Sequence, residues 1–158
     1  MSETEAKAGR LPWPPLIYLS AIVIAVLFTA LYPLPWIGGL LADLLFVIGL
    51  LVVLAVIALW VTAFRTMIAA RTTIHPNGMP ARLVTTGPFS VSRNPIYLAN
   101  SLLLIAIGLA GGMAWFVVLA FIASFAVSRL AIEREEKVLA QNFGKKYRDY
   151  QKRVRRWL

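Results

Sequence analysis

Four long apolar runs decide what this chain can fold into. Residues 16–32, 38–64 (or from Leu40), 96–111 and 113–128 together carry one charged side chain, Asp43. A run of that length with so little charge satisfies its backbone inside a bilayer only as a helix. The chain as a whole is 59% hydrophobic, against about 45–50% for a soluble domain. The expected class is therefore an all-α integral membrane protein with about four transmembrane helices. A chain of 158 residues leaves little room for a soluble domain beside them.

The runs divide the chain. Residues 1–15 are polar and Pro-rich and read as a flexible tail. The run 16–32 resembles a signal-peptide core, but no small-x-small cleavage site follows it, so it is expected as a retained first span. Pro33 and Pro35 end it. Residues 16–64 then form two spans, and 65–158 form a core holding a helical hairpin (96–128) and a C-terminal helix. Gly111-Gly112 marks the hairpin turn. Both hairpin spans are short for a bilayer that asks for about 20 residues, which implies burial against longer helices or local thinning.

Charge sets the orientation. Of the sixteen Lys and Arg, Lys7 and Arg10 are in the tail. Arg65, Arg71, Arg82 and Arg93 lie in 65–95, and ten lie from Arg129 onward. Connectors 33–37 and 111–112 have none. Four crossings with both termini cytoplasmic put all sixteen on one side, as the positive-inside rule requires. The expected setting is a bacterial or archaeal inner membrane. The net charge of +9 is thereby assigned to anionic lipid rather than nucleic acid.

Composition removes whole chemistries. With no cysteine there is no disulfide, thiolate metal site or cysteine nucleophile. With one histidine, His75, there is no multi-imidazole metal site, and no metal is expected. His75 before Pro76 reads as a loop residue. Asp43, at the start of the second span, reads as solvent-exposed, although an intramembrane acid is a functional candidate by default. Gly49, Gly108 and Gly111 read as close helix contacts.

Two segments at the basic end carry more than topology needs. In the first, residues 82–97, Gly87-Pro88 signals a turn and Asn94-Pro95 a helix start, with Asn capping free N–H groups. The dipole end of that helix and Arg93 together suit an anion. Tyr97 and Ser101 lie one turn apart on the helix, with Asn100 beside them. In the second, Glu133-Arg134-Glu135-Glu136 places three acids on a basic surface. Leu139, Phe143, Gly144, Tyr147, Tyr150, Val154 and Trp157 follow at helical spacing, one apolar stripe of an amphipathic element. Local salt bridging explains the acids equally well as a carboxylate held for a cationic ligand.

These residues bear a resemblance to a known family. Gly87-Pro88-Phe89, then Arg93-Asn94-Pro95-x-Tyr97, then Glu135-Glu136-x-x-Leu139-x-x-x-Phe143-Gly144-x-x-Tyr147-x-x-Tyr150 resembles the isoprenylcysteine carboxyl methyltransferases. The membrane phospholipid N-methyltransferases share the general plan. The resemblance covers about residues 70–157. It implies a membrane methyltransferase that uses S-adenosylmethionine, with a cytoplasmic cofactor pocket between the two segments and a lipophilic or lipid-like acceptor. By position, the implied cofactor contacts are Arg82, Leu83, Val84, Phe89, Asn94, Pro95, Ile96, Tyr97 and Glu135. Glu135, Glu136, Arg129 and Arg93 are the candidate catalytic residues. Asn94 stands where the eukaryotic enzymes usually carry His. The family's substrate-side arginine falls on Ala131, with Arg129 two residues away as its candidate substitute. That gap weakens the case for a prenylcysteine carboxylate, so the acceptor stays open among carboxylate, amine and thiol. The rival reading is a non-catalytic membrane scaffold or lipid-binding subunit of the same fold. A transporter is disfavoured, because the chain has no inverted repeat.

Overall fold

The computed structural model describes residues 13–71 and 82–158. The expectations for His75, Lys7 and Arg10 fall outside those residues. Every regular element within them is helical. Three helices are long and apolar enough to cross a membrane and a fourth is shorter. The chain is an all-α integral membrane protein.

Helix α1 runs Trp13–Leu31. It begins three residues before the apolar run, because Pro14 and Pro15 fit a first helical turn, where their missing N–H costs nothing. Helix α2 runs Leu40–Ala69, 30 residues, or about 45 Å of rise. A hydrocarbon core is about 30 Å thick, so α2 projects beyond it. It extends past Phe64 and lifts Arg65 and Thr66 to the basic end. Asp43 is exposed in its first turn, where a carboxylate complements the helix dipole.

Helix α3 is Pro95–Gly111 and α4 is Ala114–Val127. Gly112, left-handed at φ 65, closes α3, with the Met113 N–H on the Gly108 carbonyl at 2.9 Å. The Gly-Gly hairpin therefore forms as expected. Gly111 lies against Met113 of that turn rather than against another helix.

Packing runs in the order α2, α3, α4, α1. The α2–α3 seam is built from small residues at heptad spacing. Gly49, Val56 and Ala63 of α2 and Ala99 and Ala106 of α3 are buried. A Cβ on Gly49 would lie 2.8 Å from the Ala110 nitrogen and 2.9 Å from the Ala106 carbonyl oxygen. The backbones meet there, which in lipid is the main source of helix attraction. Gly108 makes a similar approach to Val117 across the hairpin. Tyr18, Ala21 and Ala25 of α1 pack on Phe116, Ala120, Ala123 and Val127 of α4.

Helix α4 passes through one π turn, Ser128–Ile132, into α5, Glu133–Arg153. A π turn changes the helical phase of everything after it, and the three acids come directly after it. Helix α5 does not carry the single stripe expected from Leu139 to Trp157. Gly144 breaks it at φ 51, ψ −120, and the helix ends at Arg153. Val154 is extended, φ −124 and ψ 131, so Val154 and Trp157 lie on a strap instead of a helix face. Tyr147 and Tyr150 are nevertheless buried, as the stripe required.

Candidate active site

At the basic end, the turn Gly87–Ser90 is held from both sides. Gly87 has φ 59, and a Cβ there would come 2.9 Å from Thr66 Oγ1 of α2. The Tyr150 hydroxyl donates to the Phe89 carbonyl from the α5 side. Arg93 and Asn94 follow. The helix does start at Pro95, but the Asn94 side chain does not cap it. Asn94 Nδ2 donates instead to the Arg156 carbonyl at 3.0 Å. The Asn94 N–H goes to Ser92 Oγ at 3.1 Å. A carbonyl arriving from the strap has drawn the amide away from the helix end. The first N–H groups of α3 thus keep no side-chain cap, and no acid in the first turn offsets the positive dipole end.

The three acids have three different fates. Glu133 pairs with Arg129 at 3.1 Å and with Arg156 at 3.6 Å. Glu136 receives the Arg156 guanidinium as a fork, Nε at 3.1 Å and Nη2 at 2.8 Å, and also Arg93 Nη1 at 3.1 Å. Such bidentate charge-assisted bonds are the strong class. Glu135 points the other way. Its Oε1 accepts the Tyr97 hydroxyl at 2.6 Å, and it has no arginine partner among the described residues. The local salt-bridge reading therefore holds for Glu133 and Glu136 and fails for Glu135.

This leaves Glu135 electrostatically exposed in a buried place. Burial pushes its carboxyl above the ordinary range. The Tyr97 bond pulls it down in part, and the Glu136 charge adds to the rise. Glu136 also raises Arg156, chiefly through the hydrogen bond. Arg93 Nε is buried without a hydrogen-bond partner. An unpaired buried donor on a charged group is costly, and such a group in a folded protein calls for an explanation.

Tyr97 is itself braced from below. Tyr18 of α1 donates its hydroxyl to the Tyr97 carbonyl at 3.0 Å and lies 2.9 Å from Ser101 Oγ. Ser124 of α4 reaches Ser101 at 2.7 Å. On the other flank, Trp60 of α2 donates to Asn100 Oδ1 at 3.0 Å. Sequence reasoning missed Tyr18, Trp60 and Thr66. The chain signal available was a polar-tipped side chain inside each apolar run, which locates a need for a partner without naming it.

Among the candidates, the structure brings Arg93, Asn94, Pro95, Tyr97, Glu135 and Glu136 together. Phe89 is half-buried in the adjoining turn, and Ile96 is half-buried at the head of α3. Arg82, Leu83 and Val84 lead up to that turn; Arg82 is exposed and the other two half-buried. Arg129 stands apart, 62% exposed and bonded to Glu133. A shallow depression of about 320 Å³ lined by Glu133, Glu136, Lys137, Ala140, Gln151 and Arg156 opens on the opposite face of α5 from Glu135, by helical phase. It is an open groove over the salt-bridge network, and the unpaired groups do not line it.

A membrane hairpin carrying Arg-Asn-Pro-x-Tyr at its entry and Glu-Glu at its exit, joined by a Tyr–Glu bond, meets a known family at this point. The model of the phospholipid methyltransferases matches residues 41–146. The chain belongs to the phospholipid methyltransferase family. It is a membrane methyltransferase, related to the isoprenylcysteine carboxyl methyltransferases. An uncharacterised protein of Haemophilus influenzae is 40% identical over 65 residues, which are all of that protein and 40% of this chain. No solved structure matches the chain. The matched span takes in residues 82–97, the three acids after the π turn and the α2–α3 seam, and ends before Tyr147. It leaves out α1, with Tyr18, and the strap with Arg156.

Proposed function

We propose that this methyltransferase uses S-adenosylmethionine to methylate a lipophilic or lipid-like acceptor at the cytoplasmic membrane face, with both termini on that side. One observation carries the reading: Tyr97 and Glu135, 38 residues apart, share a 2.6 Å hydrogen bond that joins the two segments around unpaired charge. The asymmetry of basic residues supports the orientation.

The residues suit the cofactor. It carries a carboxylate, an ammonium and a sulfonium. The uncapped start of α3 and Arg93 Nε are donors for the carboxylate. Glu135 is the acceptor for a cationic group. Phe89 and Tyr97 supply ring faces for adenine stacking or for cation–π attraction to the sulfonium. Leu83, Val84 and Ile96 would give the apolar wall, with Arg82 at its outer edge.

When bound, the cofactor would supply an electrophilic methyl group for in-line displacement by the acceptor, with a neutral thioether as the leaving group. The protein's share is alignment and a dry site. Tyr97 fixes the Glu135 carboxylate by donating its proton to Oε1. Glu136 is saturated by Arg93 and Arg156, so it holds the entry loop to α5. Proton removal from the acceptor then falls to Glu135 or to the acceptor's own ionisation. Arg129, exposed near the membrane exit of α4, suits an anionic part of the acceptor.

The test is calorimetric binding of S-adenosylmethionine, and of its demethylated product, to detergent-purified protein. Saturable binding to wild type that weakens in Glu135→Ala is the expected result. Folded wild type that binds neither, with and without added lipid, overturns the reading.

A further inference from the structure

The residues after α5 do not trail into solvent. The Arg93 N–H donates to the Arg155 carbonyl at 3.0 Å. The Arg156 carbonyl takes Asn94 Nδ2 at 3.0 Å and Ser92 Oγ at 3.3 Å. Ser92 is 1% exposed, so this junction is interior. The Arg156 side chain forks onto Glu136. Trp157 packs on the bundle core and donates Nε1 to Ser128 Oγ, in the π turn, at 3.2 Å. One extended segment thus touches the loop before α3, Glu136 on α5 and the π turn below it. These are the three parts whose relative placement sets the distance between the start of α3 and Glu135.

Each contact has a consequence that packing alone would not need. Two carbonyls hold the loop 92–94, that of Arg155 at the Arg93 backbone N–H and that of Arg156 at the Ser92 and Asn94 side chains, and the second removes Asn94 from the helix end. The guanidinium neutralises Glu136, leaving Glu135 as the acid with charge to spare. The same fork lets Glu136 hold Arg93 through one oxygen. We propose that residues 154–158 are a structural wall of the methyltransferase site, with Arg156 its positioning residue: the strap sets the anion-binding and cation-binding sides at their working separation. The assignment rests on the cofactor reading above and lies beyond the family match, which ends at residue 146.

Wild-type protein gives the first measurement, hydrogen exchange by peptide with and without S-adenosylmethionine. Addition of the cofactor slows exchange in the strap peptide 154–158 along with 92–97. If 92–97 is slowed and the strap is unchanged, the strap is no part of the site. The second measurement is affinity in Arg156→Gln and Arg156→Lys. Arg156→Gln weakens binding roughly tenfold, the size of a lost charge-assisted fork. Arg156→Lys, which keeps the charge, stays within about threefold of wild type. A merely structural arginine would lower the melting temperature of both variants and leave the affinity of folded protein alone. Equal affinity in all three proteins, or equal loss in both variants, overturns the proposal. Should Arg156→Gln not fold, the wild-type exchange result decides alone. Absence of any binding to wild type fails the cofactor reading instead, and the two failures are thereby told apart.

Discussion

The two ends of the bundle are built on opposite rules. At the end without basic residues the chain simply turns. Gly112 closes α3, Trp36 lies over it, and Trp115 donates to the Tyr32 carbonyl at 2.7 Å beside the Phe28 ring. These are aromatic side chains of the kind that gather at a membrane interface, and the Trp115 N–H is satisfied by the turn. At the basic end side-chain bonds link residues 54 to 62 positions apart: Arg93 to Tyr147, Tyr150 to Phe89, Asn94 to Arg156. There the Arg93 Nε is buried without a hydrogen-bond partner, and Glu135 is held by the Tyr97 hydroxyl with no arginine partner among the described residues. One end is closed by backbone turns and aromatic packing, with the Thr29 hydroxyl as its buried unpaired group, while the other is tied by a charged network in which a guanidinium nitrogen is unpaired. Helix packing supports both ends and belongs to neither, so the two can be separated by mutation.

The largest effect should come from the packing itself. Gly49→Leu puts a side chain where even a Cβ would meet the Ala110 and Ala106 backbone under 3 Å. Backbone cannot move aside as a rotamer does, so the cost lies at the upper end of overpacking, about 3 kcal/mol. The α2–α3 seam opens, and the basic end loses the Thr66 side of its turn with it. Unfolding in detergent, followed by circular dichroism, checks this. A variant as stable as wild type would show that the seam is not tight and that the two ends do not share it.

Next comes Glu135→Gln, which should separate the ends. Binding of S-adenosylmethionine should fall about 30-fold, the scale for truncating one partner of a buried charge pair. Stability should move the other way. The Glu135 carboxyl is raised above its unfolded value by burial. Its contribution to stability is therefore fully present below the unfolded pKa and lost as pH rises through the folded one. At neutral pH the carboxylate is a burden on the fold, and Glu135→Gln melts no lower than wild type. Binding needs the charged form, so wild-type affinity falls with acidification at a pH above the ordinary carboxylate value of about 4.3. That limb is missing in Glu135→Gln. An acid limb that survives the substitution would assign the titration elsewhere.

The sequence made some of this legible and hid the rest for definite reasons. Hydropathy located every span, because lipid imposes length and polarity on each helix separately. Gly111-Gly112 and Asn94-Pro95 marked their turns because the local backbone demands those residues. What stayed hidden depends on distant partners. Glu135 and Glu136 are equivalent in the chain, and only Arg93 and Arg156, drawn in by folding, distinguish them. Val154 and Trp157 continue a helical spacing that begins at Leu139, although the helix has already ended at Arg153. Asn94 has the residue type of a cap and makes its bond elsewhere, because the strap supplies a carbonyl at 3.0 Å. Periodicity reports what a segment can do alone and is silent on competition from the other end of the chain.

Tyr18 gives the finest test of how far the site extends into the membrane. It lies in α1, outside the family match, and only its polar tip sets it apart in its apolar run. Yet its hydroxyl holds the carbonyl of Tyr97, whose side chain holds Glu135. Tyr18→Phe keeps the ring, which is buried against α4, and removes only the bond. Interhelical hydrogen bonds in membranes average about 0.6 kcal/mol, so stability drops by about that much. Ser101 keeps Ser124 as a partner, which limits the damage to the Tyr97 side. If α1 only packs, the affinity of the folded variant for S-adenosylmethionine matches wild type. If the first helix braces the site, affinity falls about twofold to threefold, with an unchanged acid limb. The expected result is the second, because Tyr97 is the residue through which α1 and α5 meet.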